Sequence, residues 1–468
     1  MSAVAGEVRV RRGLLERFTG LCVRYVERFM PDPYLFAVIL TILVGIMVAL
    51  AVPGVNAGGM IGAWYSGVWG AKNIFTFALQ MVLILVTGYT LAEAPVVKKG
   101  LRALAARPRN QVEGALLCFA VGSVFCLLNW GLGLVTGALV AKEVAKRLPS
   151  AHFGYLIASG YMGYMVWTQG FSSSIALANT DPASPINVIY QMTGKLIPLG
   201  DTIFQPYSWV PVLVSVAVLA FMIRRTAPKE ALPPDPQLFA ETEIVEEKVG
   251  RHSFAERLEN LWILNVLFFA AGLWYFIQSG FQLNIGSMIM LFTIVGALLH
   301  KTPIRFIRAF TGAAKASGPL LLQYPLYGGI MALLGYMPVK DGPALESILA
   351  HAIVSGTDAN TLPFMTFIAS ILISLFVPSG GGHWGVQGPI AVQSALAMGQ
   401  DSGSYLGLMS MAVAFGEAIA NMIQPFWLLP ALAIAKLNVR QVMGYTVVAF
   451  LAGFVIFGIA ILVAPHVI

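Results

Sequence analysis

Two side chains that can carry a proton sit inside runs of residues too apolar for water. His383 lies in Ser379-Gly-Gly-Gly-His-Trp384, and Glu417 lies in the run Met409 to Ala420, one helical turn before Asn421. An acid at membrane depth is costly to keep ionised, so it points first to function, with proton or cation coupling its natural role. A structural acid with a partner is the plain alternative. An imidazole titrates near neutral pH, so His383 offers either a second ion-coupling group or a fixed hydrogen-bond donor. The residues before it, Ser379, Gly380, Gly381 and Gly382, have a different use. Glycines at a helix start let backbone N–H groups point at a ligand, and the helix dipole there favours an anion. The same letters satisfy the GxGxxG pattern of dinucleotide sites, but no strand precedes them, and that match carries nothing.

These residues need irregular backbone in an apolar setting. From Phe376 to Ile390 the chain has three consecutive glycines and two prolines, between the apolar run 362–375 and a weaker one from Ile390. A continuous helix breaks there. Irregular backbone at membrane depth survives only where protein or a water-filled cavity covers it. A helical hairpin with its tip inside the membrane satisfies both conditions. A second tip, Asn129-Trp-Gly-Leu-Gly133, lies between apolar arms with basic flanks, so Asn129, Trp130 and Gly131 are candidates beside Ser379 to His383. Two further apolar segments are interrupted, at Thr168 to Ser174 and at Asn421 to Pro425. Unwinding at Gly170 and Pro425 frees carbonyls, and Gln169, Ser172, Ser173, Ser174, Asn421 and Gln424 supply neutral donors and acceptors. Broken helices of this kind form transporter sites. For any single residue, polar glue between helices is the competing explanation. No Lys or Arg falls in the middle of a span, which suits a small, weakly held monoanion.

Composition sets the class. Of 468 residues, 57% are hydrophobic and 11% charged, against about 25% charged in a soluble domain. Several runs exceed the roughly 18 to 20 residues that cross a bilayer. The net charge of +7 does not suggest nucleic acid, because the basic residues sit between apolar runs, as positive-inside loops do. Cys118 and Cys126 fall on one helix about 12 Å apart, too far for a disulfide. HExxH and CxxC patterns are absent, so neither a metal nor a cofactor is expected beyond a coupling sodium ion or proton. Charges as far as Arg28 argue against a signal peptide.

The fold expected is an all-α polytopic membrane protein with nine full spans and two re-entrant hairpins. Residues 1–30 read as a cytoplasmic amphipathic helix, and residues 31–225 as a first repeat with a hairpin near 110–148. A cytoplasmic linker over 226–258 and a connecting helix over 259–281 follow. Residues 282–468 form a second repeat with a hairpin near 361–400. Each repeat reads span, span, hairpin, broken span, span, with opposite starting sides, which is an inverted-topology repeat. This places the N-terminus in the cytoplasm and the C-terminus outside the cell (inner) membrane.

Several stretches together resemble the bacterial short-chain fatty acid transporter family, the AtoE type. They are Val377-Pro-Ser-Gly-Gly-Gly-His-Trp-x-x-Gln-Gly-Pro389, Asn129-Trp-Gly131, Pro31-Asp-Pro33, Gly416-Glu417, Asn421 with Gln424-Pro-Phe-Trp427, and Leu429-Pro-Ala-Leu-Ala-Ile-Ala435. At Trp167-Thr-Gln-Gly-Phe171 the chain departs from the family's glycine-richer pattern. That family belongs to the ion transporter superfamily. The resemblance implies a homodimer with scaffold and elevator-like parts. It also implies secondary active transport of monocarboxylates such as butyrate or acetoacetate. Three rivals stay open: a cation/proton exchanger or a carrier of another small organic anion on the same architecture, and, more distantly, a membrane-embedded enzyme using His383 and Glu417 as acid and base. The exchanger predicts Glu417-dependent ion exchange without organic anion, and the enzyme a chemically changed product.

Overall fold

The computed structural model describes residues 33–71, 73–184, 186–236, 238, 253–340, 342–354, 356–375 and 377–468. The amphipathic segment expected over 1–30 and part of the linker expected over 226–258 lie outside the described residues, as does Phe376. Among the described residues every regular element is a helix, apart from one isolated bridge between His152 and Leu232. Hydrocarbon offers no water to an open N–H or C=O, so apolar runs must close their hydrogen bonds within themselves. Among the described residues four helices are long and apolar enough to cross a membrane, against the nine full spans expected: Gln111–Leu128, Pro206–Thr226, Gly403–Ala420 and Arg440–His466. A further pair, Ala78–Ala92 and Pro95–Ala105, is bent by 70°. Six shorter apolar helices accompany them.

Both halves of the chain use one order of elements. The first half runs Pro33–Ala51, short Ala57–Val68, Phe75–Ala92, short Pro95–Ala105 and then hairpin 1, made of Gln111–Leu128 and Trp130–Arg147. Next come the first broken segment, with Phe153–Met162, the 3-10 turn Gly163–Gln169 and Ser174–Ala178, and finally Pro206–Thr226. The second half runs Ile285–Leu299, short Pro303–Ala314, Gly318–Leu334, short Leu345–Val354 and hairpin 2, made of Leu362–Ser374 and Gly380–Ala397. The second broken segment holds Gly403–Ala420, the 3-10 turn Phe426–Leu428 and Leu429–Ala435, and Arg440–Val463 follows. Helix Trp262–Gln278 lies between the halves.

Some short helices were not expected. The glycine-rich stretch after the first helix contains Ala57–Val68, capped by Asn56, whose Oδ1 accepts the Gly59 N–H at 2.8 Å. Gly67 lies backbone to backbone against Gly328 of Gly318–Leu334. The close approach supplies packing that offsets glycine's poor helix propensity. Arg305 and Arg308 lie on the short helix Pro303–Ala314.

The core forms around the two broken segments. Gly160 of Phe153–Met162 meets both arms of hairpin 1: a Cβ on Gly137 would stand 3.1 Å from the Gly160 carbonyl oxygen, and one on Gly122 would meet that oxygen more closely still. Gly403–Ala420 has the apolar composition of a lipid-facing span, but 89% of it is buried inside the protein. It is the central post against which hairpin 2 packs, and it carries Glu417.

Candidate functional site

Hairpin 2 turns through Val377 and Pro378 into Ser379, whose backbone is extended (φ −150°, ψ 108°), and helix Gly380–Ala397 begins at the next residue. The first N–H groups of any helix lack intrahelical partners. Here His383 N–H returns to the Ser379 carbonyl at 2.6 Å, while those of Gly380, Gly381 and Gly382 make no hydrogen bond among the described residues. Ser379 does not fold its hydroxyl back as a cap, and its buried Oγ faces the Tyr324 hydroxyl. Gly380 is a close approach: a Cβ there would lie 2.8 Å from the Trp167 ring, 3.4 Å from Glu417 Oε2, and nearer still to Ser174 Oγ. Only a residue without a side chain brings this helix start onto the first break.

One turn further along, His383 faces Glu417, with Nδ1 and Oε2 3.8 Å apart. Both side chains are fully buried. His383 Nε2 lies 2.6 Å from Gln387 Oε1, and Gln387 Nε2 donates to the Thr366 carbonyl at 2.9 Å. Neither Glu417 oxygen has a hydrogen-bond partner, and neither does Nδ1 of His383. Tyr164 and Tyr324 are the titratable neighbours of Glu417, and Tyr324 also lies beside Ser379.

Hairpin 1 ends differently. Asn129 caps its second arm, with Oδ1 accepting the Leu132 N–H at 2.9 Å. The Trp130 N–H donates to Ser172 Oγ at 2.8 Å, and the Phe171 N–H to the Leu127 carbonyl at 2.8 Å. The first break is thereby pinned to this tip. Its helix tightens into a 3-10 turn from Gly163, earlier than the expected opening at Gly170, and restarts at Ser174. Gln169 and Ser173 are buried with their side-chain polar atoms unpartnered.

At the second break the helix stops at Ala420. The Asn421 carbonyl accepts the Tyr161 hydroxyl at 2.8 Å, the Met422 carbonyl accepts that of Thr446, and Gln424 Oε1 accepts the Phe426 N–H at 2.9 Å. Both amide atoms of Asn421 remain without a hydrogen-bond partner, while the Gln424 amide faces the Tyr327 hydroxyl. Aromatic rings surround this zone: Trp130 against Trp427 (4.7 Å between centroids), Tyr164 against Trp167 (5.8 Å), and Phe426 against Tyr324 and Tyr327 (5.4 and 5.1 Å).

The candidates therefore separate into groups. Ser174, Ser379, Gly380, His383 and Glu417 converge, with Gly381 and Gly382 presenting N–H groups at the same helix start. Asn129, Trp130 and Gly131 join Ser172 at the other tip, linked to the first group through the aromatic rings. No hydrogen bond among the described residues ties Gln169, Ser173, Asn421 or Gln424 side chains to Ser379 or His383. The aromatic wall, Gln387 and Thr366 escaped sequence reasoning. The spacing of Gln387 four residues after His383 on one helix was the available signal. Among the described residues no group of three or more His, Cys, Asp or Glu gathers to hold a metal.

Two cavities open elsewhere. One of about 370 Å³ is lined by apolar residues of 206–214 and 455–467 and has nothing to hold a carboxylate. The other, about 300 Å³, is lined by Glu93, Lys98, Arg102, Lys142, Glu143 and Lys436 among others.

An all-helical bundle with several apolar helices, with unpartnered polar groups at its breaks, fits a multi-pass membrane protein. The chain belongs to the short chain fatty acid transporter family, whose model matches residues 14–464. It is 38% identical over 455 residues to a candidate short-chain fatty acid transporter of Escherichia coli (strain K12), covering 96% of this chain and 99% of that one. It is 34% identical over 448 residues to a like-named protein of Haemophilus influenzae (strain ATCC 51907 / DSM 11121 / KW20 / Rd), covering 94% and 97%. These relatives are transporters, and the chain is a transporter rather than an enzyme. Among solved structures it is similar to the YdaH transporter of Alcanivorax borkumensis (14% identity, TM-score 0.49, 93% and 98% covered). It is also similar to MtrF of Neisseria gonorrhoeae, described within a class of antimetabolite efflux pumps (15% identity, TM-score 0.44, 96% and 97% covered).

Proposed function

We propose that this protein is a secondary active transporter that carries short monocarboxylates, such as butyrate or acetoacetate, across the cell (inner) membrane together with a proton or sodium ion. The observation that carries this reading is the start of helix Gly380–Ala397. Among the described residues three neighbouring backbone N–H groups there have no partner, with the Ser174 and Ser379 hydroxyls beside them. Such donors, at the positive end of a helix dipole, hold one carboxylate without a buried Lys or Arg. The aromatic rings nearby suit a short alkyl chain. Asn129, Trp130, Gly131, Gln169, Ser172, Ser173, Asn421 and Gln424 complete the site or fix its walls, with Glu417 and His383 serving the coupling ion.

The matching order of helices in the two halves supports an inverted-topology repeat over 31–225 and 282–468, joined by the linker 226–258 and the connecting helix 259–281. On this reading the tips approach from opposite sides, as in the ion transporter superfamily. The protein is then a homodimer whose hairpins and broken helices move against a scaffold, with the N-terminus cytoplasmic and the C-terminus external. Labelled butyrate uptake into proteoliposomes under an inward proton or sodium gradient tests it. Uptake above empty liposomes supports the reading, and none under either gradient, with the protein folded, overturns the substrate class. A pure cation/proton exchanger would leave the N–H groups of Gly380 to Gly382 without a role.

A further inference from the structure

We infer that the coupling ion is a proton shared between Glu417 and His383, and that Gln387 positions His383 to hold it; this rests on the transport reading above.

A chain of hydrogen bonds decides how His383 is protonated. The Thr366 carbonyl can only accept, so the group of Gln387 facing it at 2.9 Å is the NH₂ end of the amide. That leaves Gln387 Oε1 facing His383 Nε2 at 2.6 Å, and an amide oxygen can only accept. His383 Nε2 therefore carries a hydrogen. In the neutral ring Nδ1 is then a bare acceptor, and it is Nδ1 that faces Glu417 Oε2 at 3.8 Å. A bare ring nitrogen opposite an ionised carboxylate would leave both without a donor, in a place where neither meets water. One proton resolves this. It sits on the carboxyl and is donated to Nδ1. Closing the gap to a hydrogen bond takes a shift of about 1 Å.

Among the described residues the surroundings bring no competing charge. Leu362–Ser374 and Ser174–Ala178 carry no titratable side chain, the 3-10 turn brings Tyr164, and Gly318–Leu334 brings Tyr324. Tyr190 belongs to Val188–Thr193, and Glu346 of Leu345–Val354 sits by Gly335. Tyr405, on the same helix as Glu417, donates to the Ala359 carbonyl, and Tyr445 of Arg440–Val463 lies by His152. A ring nitrogen facing the acid also suits a proton better than a hard cation such as sodium, which prefers oxygen ligands.

The pair touches the substrate site. Glu417 Oε2 stands close to Gly380, whose N–H opens the carboxylate cradle. With Glu417 ionised, a carboxylate bound there meets a like charge. With the shared proton in place it does not, and anion and proton load together. The proton enters with the substrate from one side and leaves with it on the other.

The test uses purified protein in proteoliposomes with labelled butyrate, empty liposomes correcting for leak of the neutral acid. Exchange at equal pH across the membrane reports substrate handling alone. Accumulation under an inward proton gradient, with a pH dye inside, reports coupling. Wild type is expected to accumulate under a proton gradient and not under a sodium gradient. Glu417→Gln is expected to lose accumulation and the dye signal while still exchanging label above empty liposomes. Gln387→Glu, a second acidic acceptor, should move the pH profile of uptake upward, and Gln387→Leu downward; a merely structural Gln387 would not give opposite shifts. Accumulation by Glu417→Gln equal to wild type, or driven by sodium alone, overturns the proposal. Infrared difference spectra of the detergent-purified protein between acid and alkaline buffer give a readout free of transport. A protonated-carboxyl band present in wild type and missing in Glu417→Gln supports the shared proton, and its absence from wild type at every pH overturns it. Absent butyrate exchange with that band present removes the substrate reading and leaves the proton site standing.

Discussion

The Trp130 ring, at the tip of hairpin 1, meets the Trp427 ring edge-on, with centroids 4.7 Å apart and planes at 65°. The contact ties the start of one hairpin arm to the 3-10 turn just after the other half's broken helix. Edge-to-face pairs contribute about 0.5–1.5 kcal/mol beyond the area they bury.

Removing either ring should therefore loosen both halves together. Trp130→Ala and Trp427→Ala are each expected to lower stability by roughly 3–5 kcal/mol, the range for large aromatic truncations in a core. Phe at either position should cost much less. Thermal unfolding in detergent checks this, and the double variant should lose less than the sum of the singles because the two side chains touch.

Gly380→Ala should abolish butyrate uptake while Gly62→Ala does not. The added methyl at Gly380 meets the Trp167 ring at 2.8 Å and Ser174 Oγ more closely, whereas nothing lies within 4 Å of the corresponding atom at Gly62. Uptake by both variants, normalised to folded protein, decides it; activity in Gly380→Ala would show the approach is not needed.

Ser172 and Ser174 are neighbours but one two-residue step in sequence should separate stability from binding. Ser172→Ala strips the Trp130 N–H of its partner and should cost about 1–3 kcal/mol of stability. Ser174→Ala removes an unpartnered hydroxyl beside Gly380 and should weaken substrate affinity with little change in melting. Asn129→Ala loses a cap and should cost about 1 kcal/mol. Melting curves and concentration dependence of uptake, measured on each variant, separate the two effects.

His152 should make stability fall in acid. Its Nδ1 accepts the Tyr155 N–H at 3.1 Å, capping Phe153–Met162, and burial holds its pKa below the ordinary imidazole range. A folded state that resists protonation gains nothing as pH drops, while the unfolded chain takes up a proton. Stability from this cap is thus present above about pH 6.5 and is lost progressively below it. His152→Asn keeps an acceptor that does not titrate, and should flatten the pH dependence of the melting temperature between neutral and mildly acid buffer.

The tips and breaks were legible because they violate local rules. Three glycines before His383, Pro425 after Asn421, and one acid at Glu417 are each wrong for an apolar helix, and a single chain segment displays the fault. Ala57–Val68 was not legible, because its glycines argue against a helix until Gly328 packs on Gly67.

By itself the sequence determined the class and several of the residues where apolar helices stop, since hydropathy, glycine, proline and charge act over one turn or one span. Only the tertiary structure decided what each tip does. Ser172 lies 42 residues from Trp130 yet occupies its N–H, so hairpin 1 is tied down while Gly380 to Gly382 keep theirs open. Thr366 lies 21 residues from Gln387 yet orients the amide that sets the His383 tautomer. Hydrogen bonds saturate, and which long-range partner reaches a donor first is a property of packing that no local pattern encodes.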